Sequence, residues 1–300
     1  MEKVDTKNLG LALGSGAAFG LAHIGVLKVL EQEKIPVDII SGSSIGALIA
    51  SMWGIGLSSD EIARITERLS RKLNIMRLLD FTAPISGILG GKRLKRFLRS
   101  ILGEKTFEDL KIPVKIMVYD LANRETIALD EGLLLDAVYK SIAVPGIFAP
   151  IKEGARMIID GGVSEPLPVD VLIANGAKKI IAVNVLPSPM DVRERNAMLE
   201  KIAKKEEDLI EKGPFYKKQW VLAKRYLRKI FTPNIFDVIV TTMQSMEYCL
   251  AENSSLKADV RLHPVLKEAT SIDFHLAKRF AKRGEEETRA HIAQIRKLVV

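Results

Sequence analysis

Short apolar runs that end in glycine and serine alternate along this chain with longer segments whose apolar residues recur at helical spacing. That alternation predicts an open, mainly parallel α/β sheet. Leu9–Leu13 is a short buried strand running into Gly14-Ser15-Gly16-Ala17-Ala18-Phe19-Gly20. Leu21, Ile24, Leu27, Val29 and Leu30 then mark a helix that ends near Glu33-Lys34, before Pro36. A second apolar, β-branched run over 37–40 leads through Ser41-Gly42-Ser43-Ser44-Ile45-Gly46 into residues that continue as a helix to about 52. Further along, the pattern predicts an amphipathic helix over 60–79 with Ser58 or Ser59 as its cap, a loop over 81–91, and a basic helix over 92–102 stopped by Gly103. Strands follow at 114–119 and 125–129, then a helix over 133–142, a strand at 157–159, a helix over 169–175 and a buried strand over 179–185.

From Pro187 the character changes. Residues 190–212 read as a highly charged helix, 236–250 as an apolar helix, 258–262 as a late strand, and 273–280 and 285–298 as closing helices. The expected organisation is an α/β core over 8–186, a helical, basic-aromatic insertion over 187–250, and a C-terminal strand and helices over 251–300 that complete the same domain.

Composition narrows the class. The 300 residues are 47% hydrophobic, ample for a core, and the lone Cys249 rules out an internal disulfide. The charged N-terminus lacks the apolar centre of a signal peptide. The run 39–59 is long enough for a membrane span, but its serines and four glycines favour a buried strand and helix. The expected location is therefore cytoplasmic or peripheral on the inner face of the membrane. A net charge of +8 suits nucleic acid, an anionic membrane or acidic substrates, and the placement of charge discriminates among them. Residues 212–236 carry seven basic and no acidic side chains, with Phe215, Tyr216, Trp220, Tyr226 and Phe231 interleaved. On a helical wheel, aromatic and apolar residues of 215–231 fall opposite Lys217, Lys218, Lys224, Arg225, Arg228 and Lys229, as in an interfacial membrane helix. A helix packed on the protein or on a second copy fits the same pattern. No nucleic-acid module is recognisable.

The chemistry begins at Gly42-Ser43-Ser44-Ile45-Gly46. Strand, Gly-x-Ser-x-Gly and helix in that order make a nucleophile elbow, with Ser44 exposed on a sharp turn between Gly42 and Gly46. A buried small-residue turn has the same outline. Gly14-x-Gly16-x-x-x-Gly20 presents backbone amides at a helix start, which suits phosphate or an oxyanion. The dinucleotide spacing fails, because its third glycine would fall at Phe19, and the P-loop lysine is absent. A serine needs a base. His263, His275 and His291 follow Ser44 in hydrolase order but lie outside any recognisable catalytic loop, and His23 is expected to pack or cap near the Gly-rich loop. Asp160, ending a strand before Gly161-Gly162, has its carboxylate in a loop open to chemistry, though Asp-Gly-Gly is also an ordinary turn.

Together, residues 11–27, Gly42–Gly46, Ile142–Pro150 and Asp160-Gly161-Gly162 leading to Pro166-Leu167-Pro168-Val169 resemble the patatin-like phospholipase family, particularly its compact prokaryotic members. The resemblance covers about residues 8–186. It implies a three-layer α/β/α fold with a mainly parallel central sheet, and a Ser–Asp dyad without histidine. On it, Ser44 is the nucleophile, Asp160 the general base, and the amides of Gly14, Ser15, Gly16 and Ala17 hold the oxyanion. The implied reaction is hydrolysis of phospholipid, lysophospholipid or other fatty acyl esters through an acyl-serine, with no metal or organic cofactor. Phe19 stands where the family commonly has Arg or Lys, which implies weaker contact with anionic head groups or a preference for neutral esters. It also keeps open an inactive lipid-binding or adaptor protein on the same fold. A Ser–Asp–His hydrolase using His263 or His275 is the other enzymatic alternative. The implied partners are the lipid ester and an anionic membrane surface touched through 215–231, and a homo-oligomer is compatible with the sequence.

Overall fold

The structure is a computed structural model that describes residues 8–70, 91–212 and 235–299. Its centre is an eight-stranded sheet ordered β5-β6-β3-β2-β1-β7-β8, with β4 on β3. The strands are β1 (Leu9–Leu13), β2 (Ile39–Ser43), β3 (Val114–Asp120), β4 (Glu125–Leu129), β5 (Ile151–Glu153), β6 (Arg156–Asp160), β7 (Lys179–Val183) and β8 (Val260–Leu262). The run β3-β2-β1-β7-β8 is parallel, and β4, β6 and β5 add antiparallel pairs at one side. Strands buried on both faces explain why β1 and β7 read as continuous apolar runs.

Successive side chains point to opposite faces, so each central strand feeds two cores. Leu11, Leu13, Ile40, Ile181 and Val183 face the larger core, which holds the apolar sides of α1 (Ala22–Gln32) and α2 (Ile45–Gly54). Ala12, Ile39, Ile180 and Ala182 face the smaller core. There α6 (Val169–Ala174) contributes Val169 and Leu172, and α8 (Ile235–Ser255) contributes Ala251. The result is a three-layer α/β/α architecture. The remaining helices among the described residues are α3 (Ser59–Ser70), α4 (Lys92–Leu102), α5 (Leu134–Ser141), α7 (Pro189–Lys212), α9 (Ala277–Ala290) and α10 (Ile292–Arg296).

One element differs from the sequence pattern, and parts of two others cannot be compared with it. The described part of the amphipathic helix expected over 60–79 is Ser59–Ser70; residues 71–90 lie outside the described residues, as does the basic-aromatic segment 215–231. At the C-terminus the pattern placed a break near Gly284, whereas α9 runs through it and the chain turns at His291. The glycine serves close packing instead. A Cβ at Gly284 would collide with the Ala22 carbonyl oxygen, and one at Gly25 with the Ala281 carbonyl oxygen, so α1 and α9 cross backbone against backbone.

The sheet also positions the chemistry. β4 occupies one edge of β3 along Ile116–Asp120, leaving β2 and β6 to share the other edge. β2 runs parallel to β3 and ends with Ser43 opposite Met117, while β6 runs antiparallel and ends with Asp160 opposite Val118. Two strands thus meet head-on along a third, and their C-terminal residues become neighbours.

Candidate active site

Ser44 is the residue at which β2 becomes α2. Its backbone sits at φ 54, ψ −120, a conformation that non-glycine residues rarely adopt. The turn is held from several sides. Ser44 N–H donates to Ser141 Oγ at 2.9 Å, and that hydroxyl donates to Met117 O at 2.7 Å. A Cβ at Gly42 would fall 2.6 Å from Ala47 N, and one at Gly46 would collide with Leu13 O, so both glycines let α2 start directly against the sheet. Sequence reasoning did not single out Ser141. Its signal was the stretch leading to Ala143-Val144-Pro145, where a buried serine closes α5.

Across the junction, Ser44 Oγ donates to Asp160 Oδ2 at 2.6 Å. The other oxygen, Oδ1, accepts Gly162 N–H at 2.7 Å, and Gly161 lies where a Cβ would collide with Met117 O. The carboxyl is not in an open loop, as the Asp-Gly-Gly sequence suggested; it is 4% exposed. The head-on meeting of β2 and β6 encloses it. Burial pushes the Asp160 carboxyl up to about 7, against the opposing hydrogen bonds from Ser44 and Gly162.

The Gly-rich loop closes the third side. Gly16 (φ 149) and Ala17 (φ 49) both have positive φ, which turns the backbone sharply before the 3₁₀ turn Ala17–Leu21. Of the four amides expected as oxyanion donors, two are occupied. Gly14 N–H donates to Val183 O at 3.1 Å and Ser15 N–H to Pro166 O at 2.7 Å. No acceptor among the described residues takes the amides of Gly16 or Ala17. His23 fixes the loop from beneath. It is fully buried, its Nε2 lies 2.9 Å from Gly14 O, and desolvation lowers its pKa to about 4, so the neutral ring donates from Nε2. A Cβ at Gly162 would lie 3.0 Å from Asp160 Oδ1 and 3.1 Å from Ser15 Oγ, so the acid loop and the Gly-rich loop meet there.

The other candidates lie elsewhere. His263 Nε2 is 3.4 Å from Asp191, His275 Nδ1 is 3.6 Å from Asp273, and His291 Nδ1 is 2.9 Å from Glu287 O. Phe19 faces the core, 2% exposed and edge-on to Phe280 with ring centroids 6.0 Å apart. The side chain at that position therefore packs under α9 rather than facing a substrate head group. A carboxyl that the sequence did not point to is Glu247 of α8, whose Oε2 accepts Ser15 Oγ at 3.0 Å. No group of three or more His, Cys, Asp or Glu able to hold a metal occurs among the described residues.

The geometry is that of a buried hydroxyl beside a carboxylate, with two free amides on the adjoining loop. The family model for patatin-like phospholipase matches residues 11–173. An uncharacterised NTE family protein of Mycobacterium bovis is 36% identical over 177 residues, covering 59% of this chain and 49% of that protein. Neuropathy target esterase sws of Drosophila melanogaster is 34% identical over 186 residues, covering 59% of this chain and 13% of that protein. Among solved structures, VipD from Legionella pneumophila aligns with a TM-score of 0.45 at 14% identity, over 98% of this chain and 67% of that one. The chain thus spans about half or less of the length of these curated relatives.

Proposed function

This chain belongs to the patatin-like phospholipase family, and on that premise we propose that it hydrolyses lipid carboxylic esters through a Ser44–Asp160 dyad. The observation that carries the reading is the 2.6 Å hydrogen bond from Ser44 Oγ to Asp160 Oδ2 at a strained elbow. Asp160 takes the Ser44 proton as Oγ attacks the ester carbonyl. The developing oxyanion is received by the amides of Gly16 and Ala17, the two on the loop that no described acceptor occupies. Collapse of the tetrahedral intermediate expels the alcohol, to which Asp160 returns the proton, leaving acyl-Ser44. Water then gives a proton to Asp160 as it attacks the acyl carbonyl; the second tetrahedral intermediate collapses with cleavage of the acyl–Oγ bond, Asp160 returns the proton to Ser44 Oγ, and the fatty acid leaves. A carboxyl near 7 suits both halves of that cycle, because it takes and returns a proton close to neutral pH.

Among the described residues no helix is long and apolar enough to cross a membrane. Peripheral contact with lipid is the accompanying proposal. It is supported by exposed Met190, Met198, Leu199 and Ile202 on α7 and by Val238, Ile239, Met246 and Leu250 on α8. The basic-aromatic sequence 215–231 lies between those two helices in the chain.

The test is intact-mass analysis after exposure to a fluorophosphonate, on wild type, Ser44→Ala and Asp160→Asn. One adduct on wild type, mapped to Ser44 and lost in both variants, is expected, and a lipid-ester panel follows. An unlabelled wild type sinks the hydrolase reading. Full labelling of Asp160→Asn keeps the nucleophile but removes Asp160 as its base.

A further inference from the structure

Glu247 is a carboxyl in the site that the dyad does not use. It projects from α8, and its Oε2 accepts Ser15 Oγ at 3.0 Å. That hydroxyl borders Gly162 on the side where Asp160 Oδ1 lies. Glu247 therefore stands on the acid side of the Gly-rich loop. Burial first, and the Asp160 charge second, push its pKa up to about 8. Phe19, at the position where the family commonly has Arg or Lys, is buried in the core. The acid side of the site thus holds two carboxyls, and among the described residues no cation is paired with either.

The direction of the reaction gives this placement a meaning. Asp160 returns its proton to the departing alkoxide, so the alcohol part of the ester must lie on the Asp160 side, which Glu247 borders. An alcohol bearing an ammonium group brings the missing positive charge and favours the ionised carboxyl. An alcohol bearing phosphate or carboxylate adds a further negative charge to a partly desolvated acidic space, which is unfavourable.

Resting on the hydrolase reading, we propose that Glu247 is the specificity-determining residue for the leaving alcohol, ranking cationic above uncharged and uncharged above anionic. Glu247 acts on which ester is cleaved, and the bond-breaking steps remain with Ser44 and Asp160.

The experiment measures kcat/KM for three esters of one medium-chain fatty acid: with choline, with the uncharged tert-butyl isostere of choline, and with an alcohol bearing a carboxylate. Wild type and Glu247→Gln are compared. Wild type is expected to favour the choline ester over the carboxylate ester by at least about tenfold, the scale of one charge pair in a partly wet site. In Glu247→Gln the choline-to-isostere ratio is expected to fall toward one. Because this ratio is taken within one protein, a variant with less folded enzyme leaves it unchanged. An unchanged ratio in Glu247→Gln, or a wild type that favours the anionic ester, overturns the inference while leaving the hydrolase reading standing. Failure of wild type to cleave any of the three removes the hydrolase reading and this inference with it.

Discussion

Replacing Asp160 with Asn is expected to stabilise the protein at alkaline pH while removing its chemistry. The side chain keeps its shape: the amide oxygen can still accept Gly162 N–H, and the amide nitrogen can donate to Ser44 Oγ. What disappears is a carboxylate held at 4% exposure. In the unfolded chain this carboxyl loses its proton near 3.8, and in the fold near 7. Below both values it is protonated in both states and contributes no pH dependence. Between them the unfolded chain has released the proton and the fold has not, so rising pH favours unfolding. Above about 7 the loss is complete. Displacement from 3.8 to about 7, at about 1.4 kcal/mol per pH unit, corresponds to about 4 kcal/mol. Removing the Asp160 charge also eases ionisation of Glu247, which acts in the same direction. Urea unfolding of both proteins near pH 4 and near pH 8 should therefore show the variant gaining about 4 kcal/mol on wild type across that range. An equal difference at both pH values would refute the reasoning, because it would mean that the native carboxyl ionises as readily as in water. The expected result makes Asp160 a site where activity is maintained against stability.

Three further outcomes follow from the same geometry. Esterase kcat/KM should rise with pH and reach half its plateau near 7, as Asp160 loses its proton; a profile unchanged in Asp160→Asn but lost in His263→Ala would instead place the base on the histidine. Ser141→Ala removes the acceptor for Ser44 N–H and the donor to Met117 O. It should cost about 1–3 kcal/mol in urea unfolding and slow fluorophosphonate labelling, and wild-type behaviour in both would show that the elbow holds itself. Gly284→Ala drives a methyl into the Ala22 carbonyl at the α1–α9 crossing; a loss of about 1–3 kcal/mol or more is expected, and an unchanged melting temperature would contradict the close packing.

The parts of the site that depend on local chain geometry were legible in the sequence. Gly42-x-Ser44-x-Gly46 after a β-branched run fixes the elbow because only small residues allow a helix to start that close to a strand. The alternation of strand and helix periods marked an open, mainly parallel α/β sheet for the same local reason. The break expected between 280 and 285 did not form, because Gly284 there serves a close helix crossing that only the partner helix reveals.

The rest depended on pairing between distant strands. That Asp160 faces Ser44, rather than solvent, follows from β2 and β6 meeting head-on along β3, a register set by long-range hydrogen bonding. The occupied amides of Gly14 and Ser15 depend on Val183 and Pro166, more than a hundred and fifty residues away. Glu247 reaches Ser15 across 232 positions, from a helix whose apolar pattern gave no hint of an acid turned inward. The sequence by itself determined which groups could do the chemistry, because side-chain identity and local turns are written residue by residue. Only the tertiary structure decided which of them are neighbours, how deeply they are buried and therefore where their protons reside, since those are properties of the space between elements.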